Sequence, residues 1–233
     1  MSTFKAIYRM GTVALLFASS VHGATTILEV KGEVRVRHGL EERWNDAHKG
    51  DKLQDLDTIL SEEGMVVIKT QDGSIFTMDS YSILDIGDLR SISRQEMFLF
   101  IMSQKVQKMP PRKNKKLHVG NVSSVHGEKQ SAANTVRQQK STPKWELEFN
   151  AVRAMYDQEY YPNTVVKLHK IINRYSNRDD CGLVSLYLGR SFEALEETGQ
   201  AIDSYQKAIE LGGHCDDDDL VSEAKKAIRR LSN

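Results

Sequence analysis

The chain has 233 residues, enough for one or two domains with real cores. Its 32 Lys and Arg offset 32 Asp and Glu, so the formal charge is zero and no global pull toward nucleic acid is implied. Charge is segregated instead: ten Lys and Arg between Gln104 and Lys144 face the single Glu128, and the flanking segments are mildly acidic.

The N-terminus reads as a secretory signal over residues 1–23. Lys5 and Arg9 supply a positive region, Gly11 to Ala18 a short apolar run, and Val21-His22-Gly23 a cleavage site after Gly23. The run is shorter than the roughly 20 residues of a membrane span. No cysteine follows it, so a lipoprotein is not indicated. An uncleaved anchor is the alternative. Either way the body is expected outside the cytoplasm, in a bacterial periplasm.

From Ala24 the apolar period is two. Val34 and Val36 alternate with Glu33, Arg35 and Arg37. Met65 to Ile68 and Ile75 to Met78 flank Asp72-Gly73, a hairpin signal. Ile83 to Ile86 and Met97 to Ile101 predict further strands, and Trp44 and Leu53 are expected to cap the core. This segment resembles the FecR domain, an extracytoplasmic β module. The matching residues are Gly32-Glu33-Val34, Trp44, Gly50-Asp51, Leu53, Asp57-Thr58-Ile59, Gly64, Asp72-Gly73-Ser74 and Ser80. Val125-His126-Gly127 corresponds to a later strand, with His126 and Glu128 in place of the family's Arg and Thr. Relatives carry a cytoplasmic anti-sigma segment before a membrane helix. The short stretch ahead of the apolar run leaves no room for one, so the resemblance implies the module without that output.

Between Gln104 and Lys144 the chain is basic and poor in large apolar residues, and Pro110-Pro111 breaks any helix. Leu117 to Val125 suits one more strand, and 128–144 reads as a basic flexible linker. This stretch is either a solvated linker or a contact for anionic lipid or cell-wall polymer. The compartment argues against nucleic acid.

Helical periodicity starts at Trp145. Phe149, Val152, Ala154, Met155 and Tyr156 share one face; Val165, Val166, Leu168, Ile171 and Ile172 define a second helix after a bend at Tyr160-Tyr161-Pro162. Cys181 to Gly213 repeats the hairpin more clearly, with a turn at Thr198-Gly199. Gly189 is expected where another helix crosses too closely for a Cβ, Gly199 where the turn needs positive φ, and Gly212-Gly213 as C-cap. Asp216 to Asp219 precede a last helix, Leu220 to Leu231, whose basic end complements the dipole. The acidic run lacks the ligand spacing and turn glycine of a calcium loop.

The hairpin resembles a tetratricopeptide (TPR) repeat: Leu188, Gly189, Phe192, Ala201, Tyr205 and Ala208 stand at the signature spacings of a roughly 34-residue unit. Gly213 replaces the family's frequent proline. The preceding unit is degenerate, with Thr164 where Ala201 stands, and is offset by 37 residues, Trp145 against Gly182. The family's groove geometry implies that Phe149, Arg153, Tyr156, Arg190 and Glu193 line the inner helices and meet a protein or peptide partner.

Cys181 and Cys215 lie 34 apart. Equivalent residues of stacked hairpins stand about 9–10 Å apart, beyond the roughly 4.4–6.8 Å of a disulfide, but an irregular loop at Cys215 would let it reach back. An internal disulfide, two thiols and an intermolecular bridge all stay open. The chain contains no H-E-x-x-H, G-x-S-x-G, P-loop or C-x-x-C, and His214-Cys215-Asp216 lacks a fourth metal ligand.

The expectation is an α+β multidomain chain: signal peptide 1–23, all-β domain 24–127, linker 128–144 and helical domain 145–233 of two TPR-like hairpins plus a capping helix. It is expected to be a non-enzymatic envelope scaffold without cofactor or metal; the alternative is an extracytoplasmic sensory or regulatory protein. Two repeats fall short of the roughly three a solenoid needs, so the helical part must lean on the β domain, form a homodimer or rely on a disulfide.

Overall fold

The computed structural model describes residues 24–107, 142–176, 178 and 180–232. The signal sequence, the strand expected at 117–125 and most of the linker lie outside them.

The N-terminal part is an antiparallel sheet of β1 (Thr25–Arg37), β2 (Asn45–Asp46), β3 (Lys52–Leu53), β4 (Thr58–Lys69), β5 (Ile75–Met78) and β6 (Ser82–Asp85). β1 and β4 pair along their whole length and cross at Gly32 opposite Gly64. A Cβ on Gly32 would stand 2.2 Å from the Glu63 carbonyl oxygen, and one on Gly64 would stand 2.5 Å from that of Lys31. No other residue fits this approach, and a register irregularity beside it bends both strands. The bend sorts the partners. The Val34–Arg37 half of β1 pairs with β2, and the Thr58–Ser61 half of β4 with β6; the other halves pair with β3 and β5. Ile27, Val66, Ile68, Phe76 and Met78 from one half share a core with Val34, Val36, Ile59 and Leu84 from the other. The expected hairpin turn at Asp72-Gly73 is present, with Gly73 at φ 90°. Leu53 is in the core, while Trp44 is only half-buried.

Met97 to Ile101 is not a strand. It belongs to α1 (Arg94–Gln107). Met97 and Ile101, four apart, enter the helical core, while Leu99 between them is 64% exposed. Ser93 Oγ accepts from the Glu96 amide at 3.1 Å. That Ser-x-x-Glu start was the signal available for a helix.

After α1 come α2 (Lys144–Asp157), α3 (Tyr161–Arg174), α4 (Leu183–Ala194), α5 (Thr198–His214) and α6 (Asp218–Leu231). A Cβ on Gly189 would lie 2.7 Å from the Tyr205 ring, so α4 and α5 touch there as expected. The turn chemistry differs. Gly199 is inside α5, and the left-handed residue of that turn is Glu196, φ 61°. α5 continues through Gly212 and Gly213 to His214, with Cys215 as its C-cap and the left-handed Asp216 next.

α2 belongs to both parts. Ala151 and Met155 pack in the sheet's core, and Phe149 and Val152 in the helical one. β5 and β6 diverge because they pair with opposite halves of β4, and α2 fills the gap between them. The Gln158 amide donates to the Thr77 carbonyl at 2.7 Å and accepts from the Thr77 amide at 2.8 Å, acting as a strand partner. Asn150 donates to the Tyr81 carbonyl at 2.8 Å. Cys181, ahead of α4, and Cys215, at the end of α5, lie at the same end of an antiparallel helix pair and form a disulfide with Cα atoms 5.7 Å apart.

Candidate functional site

The helices leave a groove of about 430 Å³ between α2, α4, α5 and α6. Of the five residues expected to line it, Tyr156, Arg190 and Glu193 do so. Phe149 is 2% exposed and packs edge-on against Tyr187, ring centroids 5.2 Å apart, as core. Arg153 is exposed and outside the lining. Tyr205, Glu223, Lys226 and Arg230 complete the wall. The last three come from α6, the expected capping helix.

The groove's charges are largely matched within the chain. Arg190 forms a two-pronged ion pair with Glu223, with Nε 2.7 Å from Oε1. Its guanidinium also lies 4.8 Å above the Tyr187 ring. Glu193 receives the Tyr205 hydroxyl at 2.7 Å and both prongs of Arg230 at 2.6 and 2.9 Å. Burial and then the Glu193 carboxylate push the Tyr205 phenol far above its ordinary value, so it stays a donor. Burial likewise raises Tyr156, which stacks edge-on with Tyr161 and Tyr187. The result is a floor of Tyr156 and Tyr205 between fixed charges, with Lys226 on the wall.

A second polar cluster joins the helices to the sheet. Lys167, 1% exposed on α3, reaches Asp88 at 2.6 Å, Asp85 at 3.3 Å and Glu148 at 3.8 Å. Asp88 also accepts Lys170 at 2.7 Å, and Glu148 accepts Arg174 at 2.7 Å and Tyr175 at 2.8 Å. Burial works to lower the Lys167 ammonium, but the three carboxylates more than reverse it, so its value lies above ordinary lysine. A lysine held protonated has no lone pair for nucleophilic or base chemistry. Its role here is to tie α3 to the sheet.

Among the described residues no group of three or more His, Cys, Asp and Glu could hold a metal ion, and no helix is long and apolar enough to cross a membrane. Comparisons with protein-family models, with curated proteins and with solved structures found no match to this chain.

Proposed function

We propose that the protein is a non-enzymatic, cofactor-free exported scaffold or adaptor of the cell envelope. The observation that carries this reading is the groove: Tyr156 of α2 meets Arg190 and Glu193 of α4 in one concave wall whose ion pairs are already formed. A surface with prepaired charges loses little freedom when a partner segment lies in it. The FecR-like and TPR-like resemblances and the signal-like N-terminus support a periplasmic protein–protein role, and the Cys181–Cys215 disulfide suits an oxidising compartment.

A regulatory reading of the same kind is favoured by α2. Tyr156 in the groove and Gln158 on β5 are two residues apart, so a segment bound to the helices acts on the element that borders the sheet. Sequencing the N-terminus of the exported protein separates the two: a start at Ala24 fits a released adaptor, a retained apolar run a membrane-held regulator.

The groove itself is tested by affinity capture from an envelope extract. A specific partner is expected to be lost with Tyr156→Ala and Lys226→Glu and kept with Arg153→Glu, which lies outside the groove. Retention of every partner by the first two variants would overturn the assignment.

A further inference from the structure

The connection between β1 and β4 forms a second concavity, on the sheet side of the molecule, of about 660 Å³. Ligand sites commonly span about 300–1,000 Å³. Its one aromatic wall is Trp44, half-buried, with the Arg37 guanidinium 5.4 Å from the ring centroid. Arg37 is itself anchored by donating to Thr58 Oγ1 at 3.0 Å, so the indole has a fixed neighbour.

Around the indole stand both donors and acceptors. Arg43 and Lys52 stand with Asp46 and Asp51, Asn45 contributes an amide and His48 an imidazole, and Asp51 Oδ2 accepts the His48 backbone amide at 2.8 Å. The walls are tied to the sheet: Asn45 and Asp46 pair with Val36 and Arg35, and Lys52 pairs with Thr26. His38 lines the rim and meets Asp57 Oδ2 at 3.2 Å through Nδ1; Asp57 also accepts the Gly39 and Gln54 amides, both at 2.9 Å. A polar site supported this way needs little reordering to bind.

We infer that this concavity is a binding site for a neutral oligosaccharide. A pyranose ring has an apolar C–H face that lies on an indole and hydroxyls that each donate and accept. Trp44 offers the first contact, and the planar Asn45, Asp46 and Arg43 side chains offer paired hydrogen bonds to vicinal hydroxyls. An apolar peptide would call for more than one apolar wall, which this groove lacks. The site is separate from the helical groove, and different variants report on the two.

The chain has two tryptophans, so Trp145→Phe in the full chain leaves Trp44 as the sole indole reporter. Titrating that protein with a neutral N-acetylglucosamine tetrasaccharide and a glucose tetrasaccharide is expected to change its emission saturably. Calorimetry on the wild-type chain is expected to give the same affinity. Trp44→Ala and Asp46→Asn should each weaken binding about tenfold or more with unchanged circular dichroism. If Trp44→Ala fails to fold, Asp46→Asn alone decides. No response to either sugar up to about 10 mM would overturn the proposal, as would wild-type affinity in Asp46→Asn or a response confined to inorganic phosphate.

Discussion

Lys167 holds the two halves of the molecule together from a site with almost no water. Removing its charge as Lys167→Met leaves Asp88, 5% exposed, and Glu148 buried with one cation fewer. The expected cost is about 3 kcal/mol, at the low end of the about 3–5 kcal/mol of a broken buried pair, because Lys170 and Arg174 still face those carboxylates. Urea unfolding measures it. The pH dependence follows from the shifted groups. The raised Lys167 contributes fully below its ordinary 10.5, and that contribution is lost only as pH climbs through the higher folded value. Burial works to raise Asp85, but Lys167 and Thr58 hold it below its ordinary 3.8, so its contribution is complete above 3.8 and lost as pH falls through the lower folded value. The contribution of these two groups is therefore flat from about pH 4 to about pH 10. Lys167→Met is expected to flatten the acid limb, which unfolding midpoints below pH 4 would reveal.

Among the elements, three helix ends share one device. α2, α4 and α5 each end on a left-handed residue, Glu159, Glu196 and Asp216, with φ of 66°, 61° and 55°. In each, the following amide reaches back five residues: Tyr160 to Met155, Glu197 to Phe192, Asp217 to Gly212. None of the three is glycine, although a left-handed L-residue costs about 1–2 kcal/mol and glycine's extra chain entropy only about 0.5–1 kcal/mol. Glu196→Gly is therefore expected to stabilise the protein by about 0.5–1 kcal/mol, read as a higher denaturant midpoint with unchanged slope. Glycine marks positive φ only where nothing else imposes it, so the glycine pattern does not locate these turns. Here local hydrogen bonding imposes that conformation on acidic residues, while Gly199 and Gly212 lie within α5.

For the molecule as a whole, the helical part is supported by the β core that covers Ala151 and Met155, by the Lys167 cluster and by the Cys181–Cys215 disulfide. In the chain-entropy account a closed loop of this length is worth about 3–4 kcal/mol. The paired Cys181→Ser and Cys215→Ser variant should unfold at lower temperature than the oxidised protein and become insensitive to reductant. A fragment of residues 145–233 loses the cover over α2 and, once reduced, is expected to melt without cooperativity. Cooperative melting of the reduced monomeric fragment would contradict this dependence on the sheet.

Sequence by itself determined the element types wherever an apolar period ran long enough to be unambiguous. The alternation at Val34 and Val36, the Asp72-Gly73 turn, the helices from Trp145 onward and the close approach at Gly189 all follow from side-chain spacing along a single element. The TPR-like resemblance implies five residues on the inner helices, of which Tyr156, Arg190 and Glu193 line the groove and Phe149 and Arg153 do not. The apolar pattern misread Met97 to Ile101, because five apolar residues in a row fit a strand or a helix; the Ser93-x-x-Glu96 start and the contact of Met97 and Ile101 with the helical core select the helix. Tertiary structure alone decided the rest. Whether Phe149 faces a groove or a core depends on where Tyr187 lies. Asp88, Lys167 and Glu148 form one cluster only after the sheet and α2 have docked. The physical reason is common to both: period records which face of an element is apolar, while which element covers that face is set by packing between residues far apart in the chain.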